Sequence, residues 1–424
     1  MHKTANPDSI KAFLKDLYER ALAPALPENA MRKLEWPKVS GRIHVLSAGK
    51  AATQMVAAIQ DRLPEQAEGL VVTRRGYVHP GFAAKDMLIV EAAHPVPDAA
   101  GADAAHMALE AADTLGSDDL LLVLMSGGAS ALLPAPAAGL TLSEKQDVTR
   151  TLLRSGAPIS EMNIVRKHLS MIKGGHLAAR AWPAATHMIA ISDIPGDDIA
   201  MIGSGPTVAD SSTCADALAI SRKYGIALPP AIEAQLETGA LETPKPGDPR
   251  MQRASAEICA RPADMCAAAG AEARQSGYEI IMLGDALEGD ALHLGKEHAM
   301  LAKALKAEGR KVALISGGEA TVAIRNPAGR GGRCTAYLLS CALHLGGEPD
   351  ICGFAADSDG IDGSEDNAGA FLWPGVLDAM GGAVPANEML EHDNSYLAFQ
   401  KANALLMTGP SGTNVNDLRI LLVR

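Results

Sequence analysis

Short apolar runs recur along the chain, each followed by a polar or glycine break and then an Ala-rich stretch with helical spacing. RIHVLSAGKAATQMVAAI opens the series, and GLVVTRRG, MLIVEAAHPVPD, LLLVLMSGGASALL and THMIAISDIPGDD continue it. A later set comprises EIIMLGDALEGD, KVALISGGEATV, DICGFAADSDGIDG and the terminal LRILLVR. Runs that stay apolar instead of alternating suit strands buried on both faces, and the helical stretches between them suit crossover connections. The pattern predicts an α/β chain built on parallel sheets. Residues 8–27 predict an opening helix, with Asp8 or Ser9 as its cap.

Tyr224–Arg250 is rich in proline and glycine and carries no core strand, which marks it as the crossover between two domains. The expected division is 1–235, an N-terminal α/β domain with a mostly parallel sheet, and 236–424, a smaller C-terminal α/β domain. A chain of 424 residues is long enough to bury two such cores.

Composition adds a few exclusions. With 47% apolar but only 3% aromatic residues, the cores must be built from Ala, Leu, Val, Ile and Met. A net charge of −12 and a pI near 5.5 argue against nucleic acid or an anionic membrane as partner, yet leave room for a locally positive site. The N-terminus lacks an apolar signal core and no run approaches a membrane span, so a cytoplasmic location is expected. The six cysteines form no CxxC pair and read as reduced thiols, not as a disulfide framework or zinc site.

Candidate chemistry sits at strand ends, where open parallel sheets collect their ligands. Lys50 follows the first strand. LLLVLM runs into Ser126-Gly127-Gly128, with Ser130 just beyond, and a glycine turn opening a helix suits phosphate. Asp193, Asp197 and Asp198 follow HMIAIS. In the second half Gly317, Gly318 and Glu319 follow KVALI, and Asp357, Asp359 and Asp362 follow ICGFAA. If the sheets are parallel, these groups gather on one rim. MNIVRKHLSMIKGGHLAARA carries Arg166, Lys167, His168 and Lys173, which reads either as a solvated helix face or as a basic wall for a carboxylate or phosphate. Gly174-Gly175 favours close backbone approach there, while His168 and His176 read as structural. The loop NPAGRGGRCTAYLL joins Gly329, Gly331 and Gly332 to Arg330 and Arg333, a combination suited to anion recognition. There is no GxxxxGK[ST], no strand–GxGxxG–helix unit and no GxSxG elbow. The set as a whole fits phosphoryl transfer by positioning and charge neutralisation.

SAGKAA, MSGGASALL, NIVRKHLSMIKGGHLA, SDIPGDDIAMIGSGPTVAD, ISGGEATV, GRGGR, DSDGIDG and NVNDL, in that order across nearly the whole chain, resemble the glycerate 2-kinase family with its C-terminal MOFRL domain. The resemblance implies transfer of phosphate from ATP, with Mg2+, to D-glycerate, giving 2-phosphoglycerate in a cleft between two α/β domains, the first Rossmann-like. Its partners are small molecules only. It implies catalytic roles for Lys50 and Arg333, and a lining of Ser126, Gly127, Gly128 and Asp193.

On that reading Asp193 orients or deprotonates the attacking hydroxyl and Lys50 neutralises the phosphoryl group. Arg333, with Lys167 or Lys173, holds the carboxylate. Asp357 and Asn416 position substrate, Asp359 and Asp362 are the metal candidates, and Ser130, Gly317, Gly318 and Glu319 join the phosphate-binding set. After GRGGR many relatives continue Asn-Gln-Glu, whereas this chain has Cys334-Thr335-Ala336, so any polar contact of that tripeptide is lost or replaced. The runner-up is an NAD(P)H-dependent hydroxypyruvate reductase, a label relatives often carry. Assembly stays open between monomer and homodimer.

Overall fold

The computed structural model describes residues 6–83 and 86–424 and resolves the chain into two compact units. One is Pro27–Cys259. The other is Ala260–Arg424 together with the segment that ends at Leu26. The division falls after residue 259, not at the expected 235, because ASAEICA still belongs to the first sheet. Tyr224–Arg250 is no crossover either. Ile226, Ile232, Leu236 and Leu241 are buried in a core cluster of the first unit with Val165, Leu169, Ala217 and Leu218.

Among the described residues the first unit carries six strands, β1 (Ile43–Ala48), β2 (Glu68–Arg74), β3 (Met87–Ala92), β4 (Leu120–Met125), β5 (Ala185–Ile191) and β6 (Ala254–Ala260). Their order in the sheet is β3-β2-β1-β4-β5-β6, and β1–β2, β1–β4, β2–β3 and β4–β5 pair in parallel. Every residue of β4 and β5 is buried, as their unbroken apolar runs require. Burial is only partial along β6, at the sheet edge, and its mixed sequence gave no apolar run to read.

Eight further strands belong to the second unit, β7 (Glu279–Gly284), β8 (Gly289–Asp290), β9 (Val312–Gly318), β10 (Ala320–Thr321), β11 (Ile351–Asp357), β12 (Gly369–Leu372), β13 (Leu405–Leu406) and β14 (Asp417–Val423). β8 and β10 form a two-stranded ribbon, and the rest form a sheet ordered β13-β12-β11-β14-β9-β7. Here the expectation of a parallel sheet fails. β14 is antiparallel to both β9 and β11, and among the described residues of this six-stranded sheet only β7–β9 is parallel. An unbroken apolar run reports burial on two faces and says nothing about strand direction.

The opening helix is Pro7–Leu22, capped by Asn6, whose side chain accepts from the amide of Asp8. Asn6, not Asp8 or Ser9, is the cap because Pro7 has no N–H and takes the first helical position. The helix packs on Pro262–Gln275, far along the chain. Tyr18 stands edge-on to Phe354, with ring centroids 5.7 Å apart, and donates to the Asp357 carbonyl at 3.2 Å. The helix Pro7–Leu22 thus completes the core of the last unit. No helix among the described residues is long and apolar enough to cross a membrane.

Leu14 is fully buried in that packing. Leu14→Ala is expected to destabilise the unit Ala260–Arg424 by about 2–5 kcal/mol. Urea unfolding should show one transition moved and the transition of Pro27–Cys259 in place.

Candidate active site

The first unit's site grows from the register of β1 and β4. Ile43 pairs with Leu120 and Ala48 with Met125, so both strands end at one level and their loops meet. The Lys50 amide donates to the Gly127 carbonyl at 2.9 Å, and the Ala51 amide donates to Ser126 Oγ at 3.1 Å. Gly49 has φ +131°, and a Cβ there would lie 2.1 Å from Ser126 Oγ, so the approach needs glycine. Ser126, 1% exposed, is therefore the tie between the two loops and does not reach the open surface. Gly127, Gly128 and Ser130 do reach it. Gly128 adopts the left-handed conformation, φ +88°, and a Cβ there would meet His94 and the Lys50 side chain.

Above this turn lies a cavity of about 230 Å³. Two helices each give it one face. Leu142–Arg154 starts at a capping box in which the Thr141 and Glu144 side chains each receive the other's amide, and presents Lys145, Thr149 and Leu153. Ile159–His168 presents Ile159, Asn163 and Arg166. Both sets repeat at helical spacing. Lys173, Asp193, Ser204 and His94 complete the lining used below. Gly203, Ser204 and Gly205 all have φ near +60°, a strained conformation for Ser204, held where the Ser204 carbonyl accepts from Gly174 N at 2.9 Å. The Ser204 hydroxyl lies 3.0 Å from that of Ser130 and donates to Asn163 Oδ1 at 3.3 Å.

The cavity is electropositive. Lys145 and Lys173 are 6% and 2% exposed. Lys145 donates to the Leu169 carbonyl, and Lys173 donates to the Ser130 carbonyl at 2.7 Å. Among the described residues, neither lysine nor Arg166 has a carboxylate partner within ion-pair distance. Burial, helped by Arg166, lowers the Lys145 ammonium to about 7. Lys173 falls well below its ordinary value for the same reason, with Lys145 and Arg166 adding repulsion, and burial lowers Arg166.

Of the expected carboxylate binders in this unit, Lys173 is in the cavity and Lys167 is not. Adjacent helix residues point about 100° apart, and Lys167 turns to a buried ion pair with Asp210 at 3.3 Å. His168, Cys214 and Glu242 place one possible metal-ligating atom each within 4.8 Å of one another. Glu242, however, accepts from Lys245 at 2.5 Å, from His168 Nε2 at 3.2 Å and from the Cys214 amide at 3.2 Å. An ammonium on the same carboxylate makes this an ion-pair network and a poor cation site.

In the second unit Asp417 pairs with Gly318 on one side and Asp357 on the other, so β9 and β11 end where β14 begins. The expected rim therefore forms although the sheet is mixed. Arg333, the first residue of the helix Arg333–Leu345, donates from Nε to Asp417 at 2.8 Å, from Nη1 to Glu319 at 2.9 Å and from Nη2 to Asp357 at 2.6 Å. Burial would lower its proton affinity, but these three carboxylates hold the guanidinium firmly charged. Arg419, 1% exposed, bonds the other Asp417 oxygen at 3.0 Å and the Gly317 and Gly318 carbonyls. Arg333 is thus engaged on all sides. The seat expected there for a substrate carboxylate is occupied by the protein's own.

Gly317 and Gly318 pack against the backbone of Asp285–Leu287, where a Cβ on Gly318 would come within 2.2 Å of the Leu287 amide. Their demand for glycine is this close approach. A groove of about 990 Å³ opens beside them, bounded by Glu319, Val322, Ile324, Gly331, Gly332 and Arg333. Asn416 has φ +62°, and its carbonyl accepts from Ser358 N at 3.0 Å.

As a metal pair Asp359 and Asp362 do not fit. Asp362 accepts from the amides of Cys334 and Thr335 and from the Thr335 hydroxyl, capping the helix that begins with Arg333, and burial lifts it to about 6. One Asp359 oxygen accepts from Ile361 N at 2.8 Å within a turn. Neither residue is assigned here as a Mg2+ ligand. Thr335, in the tripeptide that departs from the family pattern, is part of this cap.

The buried network around Asp417 generates a prediction. Asp417→Asn leaves Arg419 and Arg333 short of countercharge and should cost about 3–5 kcal/mol in the urea unfolding of this unit. Asp248→Asn, which breaks an exposed pair with Arg250, should leave the curve in place.

Residues 13–237 match the family described as "Domain of unknown function (DUF4147)" and residues 312–417 match the "MOFRL family". A D-glycerate 2-kinase of Thermotoga maritima is 35% identical over 99% of each chain. An Agrobacterium vitis protein provisionally named hydroxypyruvate reductase is 44% identical over 99% of this chain and 96% of its own. The crystal structure of a glycerate kinase from Thermotoga maritima superposes with a TM-score of 0.87 at 34% identity, covering 99% of this chain and all of that one. The ordered motifs, the two sheets and these likenesses agree, and the chain belongs to the glycerate 2-kinase family, with an N-terminal DUF4147 region and a C-terminal MOFRL region.

Proposed function

We propose that this chain is a glycerate 2-kinase, moving the γ-phosphate of ATP onto the 2-hydroxyl of D-glycerate. The observation that carries the reading, beside the family, is the small positive cavity over the Gly127-Gly128 turn. Its volume of about 230 Å³ lies below the roughly 300–1,000 Å³ usual for larger ligands and suits a three-carbon acid. Asp193 lies in the same lining as Lys173, which supports a role in orienting or deprotonating the attacking hydroxyl. Lys50, whose side chain flanks Gly128, is the proposed neutraliser of the transferring phosphoryl group. Arg333 acts by organising Asp357, Glu319 and Asp417, and its bond to the half-exposed Glu319 is the one a nucleotide phosphate would most readily replace. Mg2+ enters with ATP as its counter-ion.

The reductase reading has the name of a close relative behind it and a sheet in the order of dinucleotide-binding folds. The local chemistry opposes it. At the β1–β4 switch point the amides that would face a pyrophosphate are occupied, Lys50 N by Gly127 and Ala51 N by Ser126. β2 ends in Thr73-Arg74 and carries no acidic residue there for a ribose.

A coupled assay should detect ADP and 2-phosphoglycerate from ATP and D-glycerate. Oxidation of NADH or NADPH by hydroxypyruvate, without kinase turnover, would reverse the assignment. Lys50→Ala and Asp193→Asn should each lower kcat/KM by at least roughly a hundredfold, about 2.7 kcal/mol of transition-state stabilisation, without changing the melting temperature. Arg333→Ala should lower both activity and stability, because it removes the guanidinium that pairs with Asp417, Asp357 and Glu319.

A further inference from the structure

Three basic side chains face one small cavity whose lining offers a single carboxylate, Asp193. Burying a cation without countercharge is costly, and such groups are normally paired. The same unit pairs its other buried lysine, Lys167, with Asp210. Each cavity lysine makes one hydrogen bond, to a neutral carbonyl, and an ammonium has three protons to place. Arg166 makes no hydrogen bond or ion pair among the described residues and has five N–H donors in a planar fork. What is missing is an anion with at least two oxygens.

We propose that Lys145, Arg166 and Lys173 together form the seat of the acceptor's carboxylate, with Arg166 making the bidentate contact. This rests on the glycerate kinase reading and assigns the acid-binding role to Lys145 and Arg166, which join Lys173, instead of to Arg333. Lys145 and Arg166 come from separate helices and Lys173 from the turn beyond them, so the seat is preorganised by packing. With the carboxylate held there, Asp193, Ser130 and Ser204 are among the polar groups left in the lining to receive the two hydroxyls, beside Thr149, Asn163 and His94. Cavity size favours this group over a triphosphate.

The seat has a measurable consequence. The groups facing the lysines are Arg166, Asp193 and His94, with Lys50 flanking the turn below. Burial and Arg166 hold Lys145 near 7, so around pH 8 it is largely neutral without ligand, and burial with the neighbouring cations also lowers Lys173 well below its ordinary value. An arriving carboxylate favours the charged form, raises these values and draws a proton from solvent. Since the bound form holds more protons than the free one, affinity must fall as pH rises above about 7, by up to about tenfold per pH unit for each lysine that must be charged.

The test is calorimetric titration of the full chain with D-glycerate, without nucleotide, at about pH 8 in Tris and in HEPES, whose ionisation enthalpies differ. Inorganic phosphate is titrated in a parallel arm. The expected result is buffer-dependent heat equivalent to uptake of about one proton or more. It should shrink in Lys145→Met, and affinity should drop at least roughly tenfold in Arg166→Gln. Glycerate binding by the wild type with no buffer dependence overturns the proposal and needs no variant. So does unchanged affinity in both folded variants, even if kinase turnover is intact, which would leave the kinase reading standing. Phosphate binding more tightly than glycerate, with the same proton uptake, also overturns it by making the cavity a phosphate seat. If D-glycerate accepts no phosphate from ATP yet binds with proton uptake lost in Lys145→Met, the seat stands and the kinase reading falls.

Discussion

Both candidate sites depend on strands ending at the same level. In the first unit the in-register parallel pairing of β1 with β4 brings Lys50 and the Ser126-Gly127-Gly128 turn into contact, and Ser126 Oγ fastens them. In the second, Asp417 opposite both Gly318 and Asp357 brings the ends of β9 and β11 to the start of β14. A slip of one residue in either register would turn every side chain on the strand to the opposite face. It would also remove the loop contacts on which the glycine positions depend. Gly49 and Gly318 are fixed by these approaches.

The two units use charge in opposite ways. The first gathers Lys145, Arg166 and Lys173 around a small space with no carboxylate at ion-pair distance from them among the described residues. The second surrounds one arginine with three carboxylates and adds a buried second arginine behind them. Such a network contributes definition of geometry more than net stability, because desolvation offsets most of the attraction. Phosphoryl transfer needs both kinds of element, charge neutralisation and rigid positioning.

Much of the site was legible because strand ends and glycine turns leave local signatures. Lys50, Gly127, Gly128, Lys173 and Asp193 follow such signals. Lys145 and Arg166 illustrate what was harder. Lys145 lies in a charged, capped helix that reads as a solvated surface. Its stripe with Thr149 and Leu153 was visible in hindsight, as was that of Ile159, Asn163 and Arg166, but helical spacing alone cannot say which stripe faces a cavity. Lys167 carried the same local signal as Arg166 and turned to Asp210 instead.

The sequence by itself determined the α/β class, the strand cores, the glycine turns and the family, because local periodicity and ordered motifs encode burial and backbone conformation. Only the tertiary structure decided strand direction in the second sheet, the docking of the first helix on the last unit, and the pairing of Arg333 and Lys167. Those outcomes depend on contacts between residues distant in sequence. A buried charge takes whichever partner the fold brings within reach, and no local pattern specifies that partner.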